Sequence, residues 1–203
     1  MLRILKYLFG MVLIALAIRL EVNAKVGVAS LDIVQSNIGF LLGSDVGLGV
    51  FLFSGILLII ALIIRKDLKP LWTAIPLVVV SVLTDLFDPL VLLIFNESLI
   101  SRIIEFTISL VFMALGAALM IVSKYPPTPY DNLVVTIVEK TGHEISKVRL
   151  GLEICFVLLG ALLAYIYGNF WESFNVGTFI YAVVTSYLLQ FFVKKLERSK
   201  NGY

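Results

Sequence analysis

The sequence predicts an all-α polytopic membrane protein: six transmembrane helices plus two short re-entrant or interfacial helices, arranged as an inverted 3+3 repeat. Three observations predict it. Of 203 residues, 60% are hydrophobic and 15% charged, and the mean hydropathy is +1.04. No core of this size hides so much apolar surface from water. Second, Lys25, six residues, Asp32, ten residues and Gly43 return 99 positions later as Lys124, Asp131 and Gly142. Third, the basic residues gather on one side of the apolar runs.

Six stretches approach the roughly 20 helical residues that a hydrocarbon core demands. They run approximately over 4–22, 47–64, 71–94, 103–122, 150–168 and 176–193. Lipid offers an open backbone no hydrogen-bond partner, so these runs are helical. Arg3 and Lys6 before the apolar run Tyr7–Ile18, with Val22-Asn23-Ala24 behind it, resemble a cleavable secretory signal. Residues 3–20 also align without gaps onto 102–119, an internal span, and that favours a retained first span. The one cysteine, Cys155, sits in an apolar run and forms no internal disulfide.

Ser30–Leu42 and Pro129–Thr141 are too short to span and too apolar for ordinary loops. Ser30 or Asp32 suits the start of the first, and Pro129 the first turn of the second. Gly43 and Gly142 stand where a left-handed C-cap belongs. Such helices either lie flat in the interface or dip in as half-helices.

Over residues 3–63 against 102–162 there are ten identities, and the weight falls on Arg3, Lys25, Asp32 and Gly43, which an apolar background does not supply. After about six extra residues in the second copy, Leu71-Trp72-Thr73 falls on Val176-Gly177-Thr178 and Ser81 on Ser186. The chain is thus a single membrane domain, 1–203. Its first repeat is about 3–95 and its second about 102–193, with a basic cytoplasmic tail over 194–203. Each repeat is span, short helix, span, span. Three spans is an odd number, so the second copy enters from the opposite side. The competing reading is a six-span protein with two unrelated surface helices.

With the N-terminus inside, the cytoplasmic side collects Arg3, Lys6, Arg65, Lys66, Lys69, Lys124, Lys140, Lys147, Arg149, Lys194, Lys195, Arg198 and Lys200. Arg19, Lys25 and Arg102 remain outside. Thirteen against three places both termini in the cytoplasm. In a bacterium, that means a multi-pass inner-membrane protein.

Asp32 and Asp131 lead the candidate site residues. A carboxylate at a helix start accepts free N–H groups and meets the positive dipole end, a role that needs no ligand. The functional reading is that both short-helix starts meet and line a solute or ion pathway. Asp85, deep in the third span and one turn before Asp88-Pro89, is the third candidate; an ionised group there must pair, face water or take a proton. The competing reading ends that span near Phe87 and leaves both aspartates among headgroups. Glu153 is the fourth, and Arg149 at i−4 is its expected ion-pair partner. Lys25 and Lys124 are expected to snorkel to headgroups, and Arg19 to pair with Glu21 or Asp85. Thr84, Thr178, Thr185, Ser186 and Gln190 are interhelical hydrogen-bonding groups. Gly47, Gly49, Gly55, Gly116, Gly151 and Gly160 are expected at close helix contacts.

The second-half motif Pro126-Pro127-Thr128-Pro129-Tyr130-Asp131, then Thr141-Gly142, Arg149 and Glu153, and later Val176-Gly177-Thr178, resembles the bacterial YczE/YitT-type membrane proteins. The likeness covers nearly the whole chain. The first copy departs from it, with Val28-Ala29-Ser30-Leu31-Asp32 where Gly-Pro and an aromatic are usual. The resemblance implies the membrane fold and carries no activity.

No enzyme signature is present. His143 is the only histidine and has no metal-ligand spacing; no metal or other cofactor is expected, and no basic cluster of nucleic-acid type exists. The expected partners are the lipid bilayer, a small solute or ion, and a second copy or another membrane protein. The function expected is a small bacterial inner-membrane transporter or channel, passive or proton-coupled. The alternative is a non-transporting binding module, such as the substrate-capturing subunit of a larger complex.

Overall fold

A computed structural model describes residues 2–198; Lys200 and the rest of the expected tail beyond 198 lie outside the described residues. The described chain is helical. Its helices are α1 Leu2–Ala24, α2 Ser30–Leu41, α3 Val46–Arg65, α4 Ala74–Leu86, α5 Asp88–Ile94, α6 Leu99–Ser123, α7 Pro129–Thr141, α8 Ile145–Tyr167, α9 Phe170–Ser173 and α10 Val176–Arg198, with a 3-10 turn over Lys69–Thr73. Among the described residues, five stretches are long and apolar enough to cross a membrane: Val46–Arg65, Lys69–Ile94, Leu99–Ser123, Lys147–Tyr167 and Phe170–Arg198. The sixth expected span, 4–22, is not among these five. Its helix α1 carries Arg3, Lys6, Arg19 and Glu21, and Met11, Ala15 and Ala17 are fully buried.

The third span is not one helix. α4 stops at Leu86 and α5 restarts at Asp88 with Pro89 in its first turn. Proline has no N–H to continue the ladder, although Phe87 N still reaches Leu83 O and Val91 N reaches Phe87 O, both at 3.0 Å.

The helices α1, α2, α3 and α6, α7, α8 follow in the same order with starts 97 to 99 residues apart. Lys25 and Lys124 both have left-handed backbone, φ 55° and 63°, as do Gly43 and Gly142, φ 66° and 71°. Lysine tolerates that conformation poorly. At a helix C-terminus, however, the turn satisfies an orphan carbonyl, as Lys124 N does with Ile121 O at 3.2 Å.

Two compact units interleave segments of both halves. One comprises Met1–Ala29, Leu83–Tyr125 and Trp171–Tyr203. Within it α1 packs on α6 and α6 on α10. Tyr7 meets the Tyr125 ring at 5.2 Å, Gly10 approaches Gly116, and Asn23 bonds Glu105, so α1 and α6 run antiparallel. A Cβ on Gly177 would lie 2.0 Å from Val26 O, which brings the segment after α1 backbone to backbone with the start of α10.

The other unit comprises Ser30–Val82 and Pro126–Phe170. Within it α2 packs on α3 and α8, and α7 on α3. Gln35 pairs with Ser54 and Gly39 with Asp45, so α2 and α3 run antiparallel. Ser30 meets Glu153, Ile33 meets Gly160 and Phe40 stacks on Tyr167 at 5.3 Å, so α2 and α8 run parallel. Phe53, Tyr130 and Phe156 form the aromatic centre of its core.

Of the six glycines expected at close contacts, Gly49, Gly116 and Gly160 stand at them: a Cβ on Gly49 would sit 1.7 Å from Gln35 O. Gly55 and Gly151 face open space, because each lies on a helix side with no neighbour to receive it.

Candidate functional site

Glu153 lies about two turns into α8, within the span Lys147–Tyr167. Its two carboxylate oxygens go to different helices. Ser30, first residue of α2, donates its hydroxyl to Oε2. Tyr130, in the first turn of α7, donates its phenol to Oε1 at 2.8 Å. Both short helices therefore begin on one carboxylate. A carboxylate within a span is costly unless partnered, and two charge-assisted hydroxyl bonds offset that cost.

Burial and then the Glu153 charge push the Tyr130 phenol above its ordinary pKa of 10.0, so it remains a donor. The Arg149 guanidinium lies over the Tyr130 ring, 5.4 Å from its centroid, and its Nη2 reaches Asp131 Oδ1 at 3.5 Å. The expected Arg149–Glu153 pair is thus replaced by Arg149–Asp131. Each Glu153 oxygen accepts one hydroxyl, and the Tyr130 ring under the guanidinium holds the arginine near the start of α7.

Asp131 is not itself the cap of α7. Thr128 occupies that place, accepting from Asp131 N at 3.3 Å and donating to Asp131 Oδ2 at 2.8 Å. This reciprocal pairing has the logic of a capping box. On α2, the Ser30 hydroxyl is spent on Glu153 rather than on a cap. Gly43 and Gly142 take the expected left-handed places.

A second feature of α2 is absent from the sequence expectations. Asp32, Gln35, Ser36 and Asn37 are 4%, 2%, 1% and 0% exposed. Gln35 Nε2 donates to Ser54 Oγ at 3.0 Å, while Gln35 Oε1 has no partner among the described residues. Asn37 Nδ2 donates to Ile33 O at 2.9 Å, and its Oδ1 likewise has no partner. Thr136, 99 positions after Asn37, is fully buried, and its hydroxyl oxygen has no partner among the described residues. Gln-Ser-Asn reads in sequence as the wet side of an interfacial helix, and only packing shows that it is dry.

Asp85 belongs to the other unit, half-buried in the last turn of α4. There Arg19 pairs with Asp88, because the break at Phe87 starts α5 with Asp88 against α1. Glu105 is fully buried and accepts from Asn23 Nδ2 at 2.6 Å and Ser101 Oγ at 3.4 Å. Its place near the expected start of a span makes it look like a headgroup residue. Glu21, also fully buried, accepts from Ala29 N at 3.4 Å.

Lys25 reaches the exposed Glu172 at 3.5 Å. Lys124 is the exposed residue closing α6. Thr84 is fully buried; Thr178 Oγ1 donates to Ser173 O at 3.2 Å. Ser186 returns its hydroxyl to Ala182 O at 2.7 Å. With exposed Gln190 it lines an open groove of about 550 Å³ beside Tyr187 and Lys194. Among the described residues, no three His, Cys, Asp or Glu side chains are grouped to hold a metal ion.

A family model described as "Family of unknown function (DUF6198)" matches residues 1–194. The chain is 28% identical over 208 residues to "Uncharacterized protein YyaS" of Bacillus subtilis (strain 168), covering 98% of this chain and 100% of the relative. Neither match carries the YczE/YitT name that the motifs suggest. No solved structure matches the chain. The extent of the family match places this chain, as a multi-pass membrane protein by its five long apolar helices, in the DUF6198 family of unknown function.

Proposed function

We propose that this protein is a small bacterial inner-membrane transporter or channel for a small solute or ion, passive or proton-coupled, and that the Glu153 junction is its site. The observation that carries this reading is the meeting of two helix starts, neither helix long enough to span, on one carboxylate within a span. Paired short helices whose N-termini converge present backbone N–H groups and partial positive charge to whatever enters.

The arrangement behind the site is an inverted 3+3 repeat in which α1 serves as a sixth span and α2 and α7 dip into the membrane. Two antiparallel pairings support it. α1 and its counterpart α6 run in opposite directions. So do α3 and α8, since α2 is antiparallel to one and parallel to the other. The basic-residue asymmetry supports cytoplasmic termini.

The test is flux in proteoliposomes containing the purified chain alone, over a panel of ions and small solutes, with and without a proton gradient. Wild-type protein is expected to move at least one solute, and Glu153→Gln to slow it tenfold or more. Saturable ligand binding without flux would replace the transporter by a binding subunit. Undiminished flux in Glu153→Gln would remove the junction as its site.

A further inference from the structure

We infer that the open groove between α6 and α10 holds one anionic phospholipid, its acyl chain along the helices and its phosphate at Lys194. The inference goes beyond the transport reading and does not rest on the Glu153 junction. The groove, of about 550 Å³, lies within one compact unit, between Ile121 in the last turn of α6 and the stretch of α10 from Ser186 to Glu197. Lys194 stands eight residues after Ser186. At roughly 1.5 Å of rise per residue the groove climbs about 12 Å between them, from the middle of the span towards the headgroups. Leu189 and Val193 give it an apolar wall, and exposed Lys194 stands at its outer end. An acyl chain and its phosphate divide along the same line, and a lysine stem reaches from one environment to the other.

Charge at this end of the unit is one-sided. α1 and α6 run antiparallel, and the start of α10 lies against the segment after α1. The start of α1 therefore shares one end with the closing turns of α6 and α10. That end carries Arg3, Lys6, Lys124, Lys194, Lys195 and Arg198, against Glu197 alone among acidic side chains of these turns. Lys195 Nζ lies over the Phe191 ring, 5.7 Å from its centroid. Lys194 has no ion-pair partner among the described residues, although Glu197 lines the same groove one turn further out.

These features choose among the occupants. Inorganic phosphate would meet the cations and leave the apolar wall bare. A zwitterionic lipid would cover the wall but bring an ammonium to a surface already cationic. A second copy, paired face to face, would set one basic end against another. An anionic phospholipid matches both wall and charge, and each basic residue near its head adds to the attraction.

The experiment is native mass spectrometry of the purified full chain in detergent, with equal amounts of phosphatidylglycerol and phosphatidylcholine of the same acyl chains. One phosphatidylglycerol is expected to stay bound per chain, in preference to phosphatidylcholine. Lys194→Gln should weaken its retention by about fivefold. Ser186→Phe, which fills the groove without changing charge, should abolish it. Lys66→Gln, at an exposed lysine of the other unit, should leave it unchanged. Ser186 and Lys194 are both exposed; should either variant aggregate, Gln190→Phe or Lys194→Met takes its place. Equal retention of the two lipids by wild type overturns the proposal. So does a phosphatidylglycerol preference that survives either substitution: insensitivity to Ser186→Phe means surface attraction alone, and insensitivity to Lys194→Gln means no headgroup contact there. A lipid-free dimer that Ser186→Phe dissociates would give the groove to a second copy and overturn it as well.

Discussion

Glu153 is a charge inside a span whose two oxygens are each occupied by a hydroxyl, so each hydroxyl can be tested separately. Removing the Tyr130 phenol leaves Oε1 without its donor while the ring stays under Arg149. A hydrogen bond to a charged group contributes about 1.5–3 kcal/mol. Tyr130→Phe is therefore expected to lower stability by about 2 kcal/mol, read as a drop in the midpoint of thermal or denaturant unfolding in detergent. An unchanged midpoint would mean that the junction is solvated. The sign of the pH dependence follows from the raised phenol pKa. The folded state holds the protonated form, so this contribution is complete below the unfolded value of about 10 and declines as pH rises past it. At this scale the sequence is half legible. Helical spacing marks Arg149 and Glu153 as neighbours, and they are. It does not reveal that α7 brings Tyr130 and Asp131 between them, because which partner wins depends on a contact 18 or more positions away.

Among the helices, glycine decides which pairs meet closely, and the consequences differ sharply between positions. A Cβ at Gly177 would fall 2.0 Å from Val26 O and 2.7 Å from Val26 C, both backbone atoms that no rotamer change can move. At Gly55 a Cβ meets nothing. Gly177→Ala is thus expected to cost several kcal/mol and to appear as poor expression or aggregation in a fluorescence-detected size-exclusion assay. Gly55→Ala gains up to about 1 kcal/mol of helix propensity. Equal behaviour of the two would show that the segment after α1 does not cross the start of α10 this closely. Element bounds are the most legible part of this chain. Gly43, Gly142 and the lysines closing α1 and α6 punctuate the helices in sequence, and all four are left-handed in the structure. The break at Phe87 is legible too, from Asp88-Pro89. Helix partners are not: Gly49 and Gly55 look alike in sequence, and only packing makes one indispensable.

For the whole molecule, the decisive question is the side of the membrane at which each short helix ends. α1 and α6 are antiparallel, each closes on a left-handed lysine, and each is followed after five residues by a short helix. If counterparts run in opposite directions, the ends of α2 and α7 face opposite compartments. Ser36 and Thr136, at the middles of these helices, are buried and cannot report on this. Leu42 and Thr141 can, being exposed, 99 positions apart and just beside the closing glycines. In a Cys155→Ser background, which removes the one native thiol, Leu42→Cys is expected to react with a membrane-impermeant maleimide added to intact spheroplasts. Thr141→Cys should react only after the membrane is opened. The reverse assignment would keep the inversion and overturn the cytoplasmic placement of the termini that the basic residues imply. Labelling of both from one side would leave the antiparallel helix pairs without a duplication to explain them. The 99-residue spacing would then reflect only similar turns, since left-handed caps recur wherever a helix must stop.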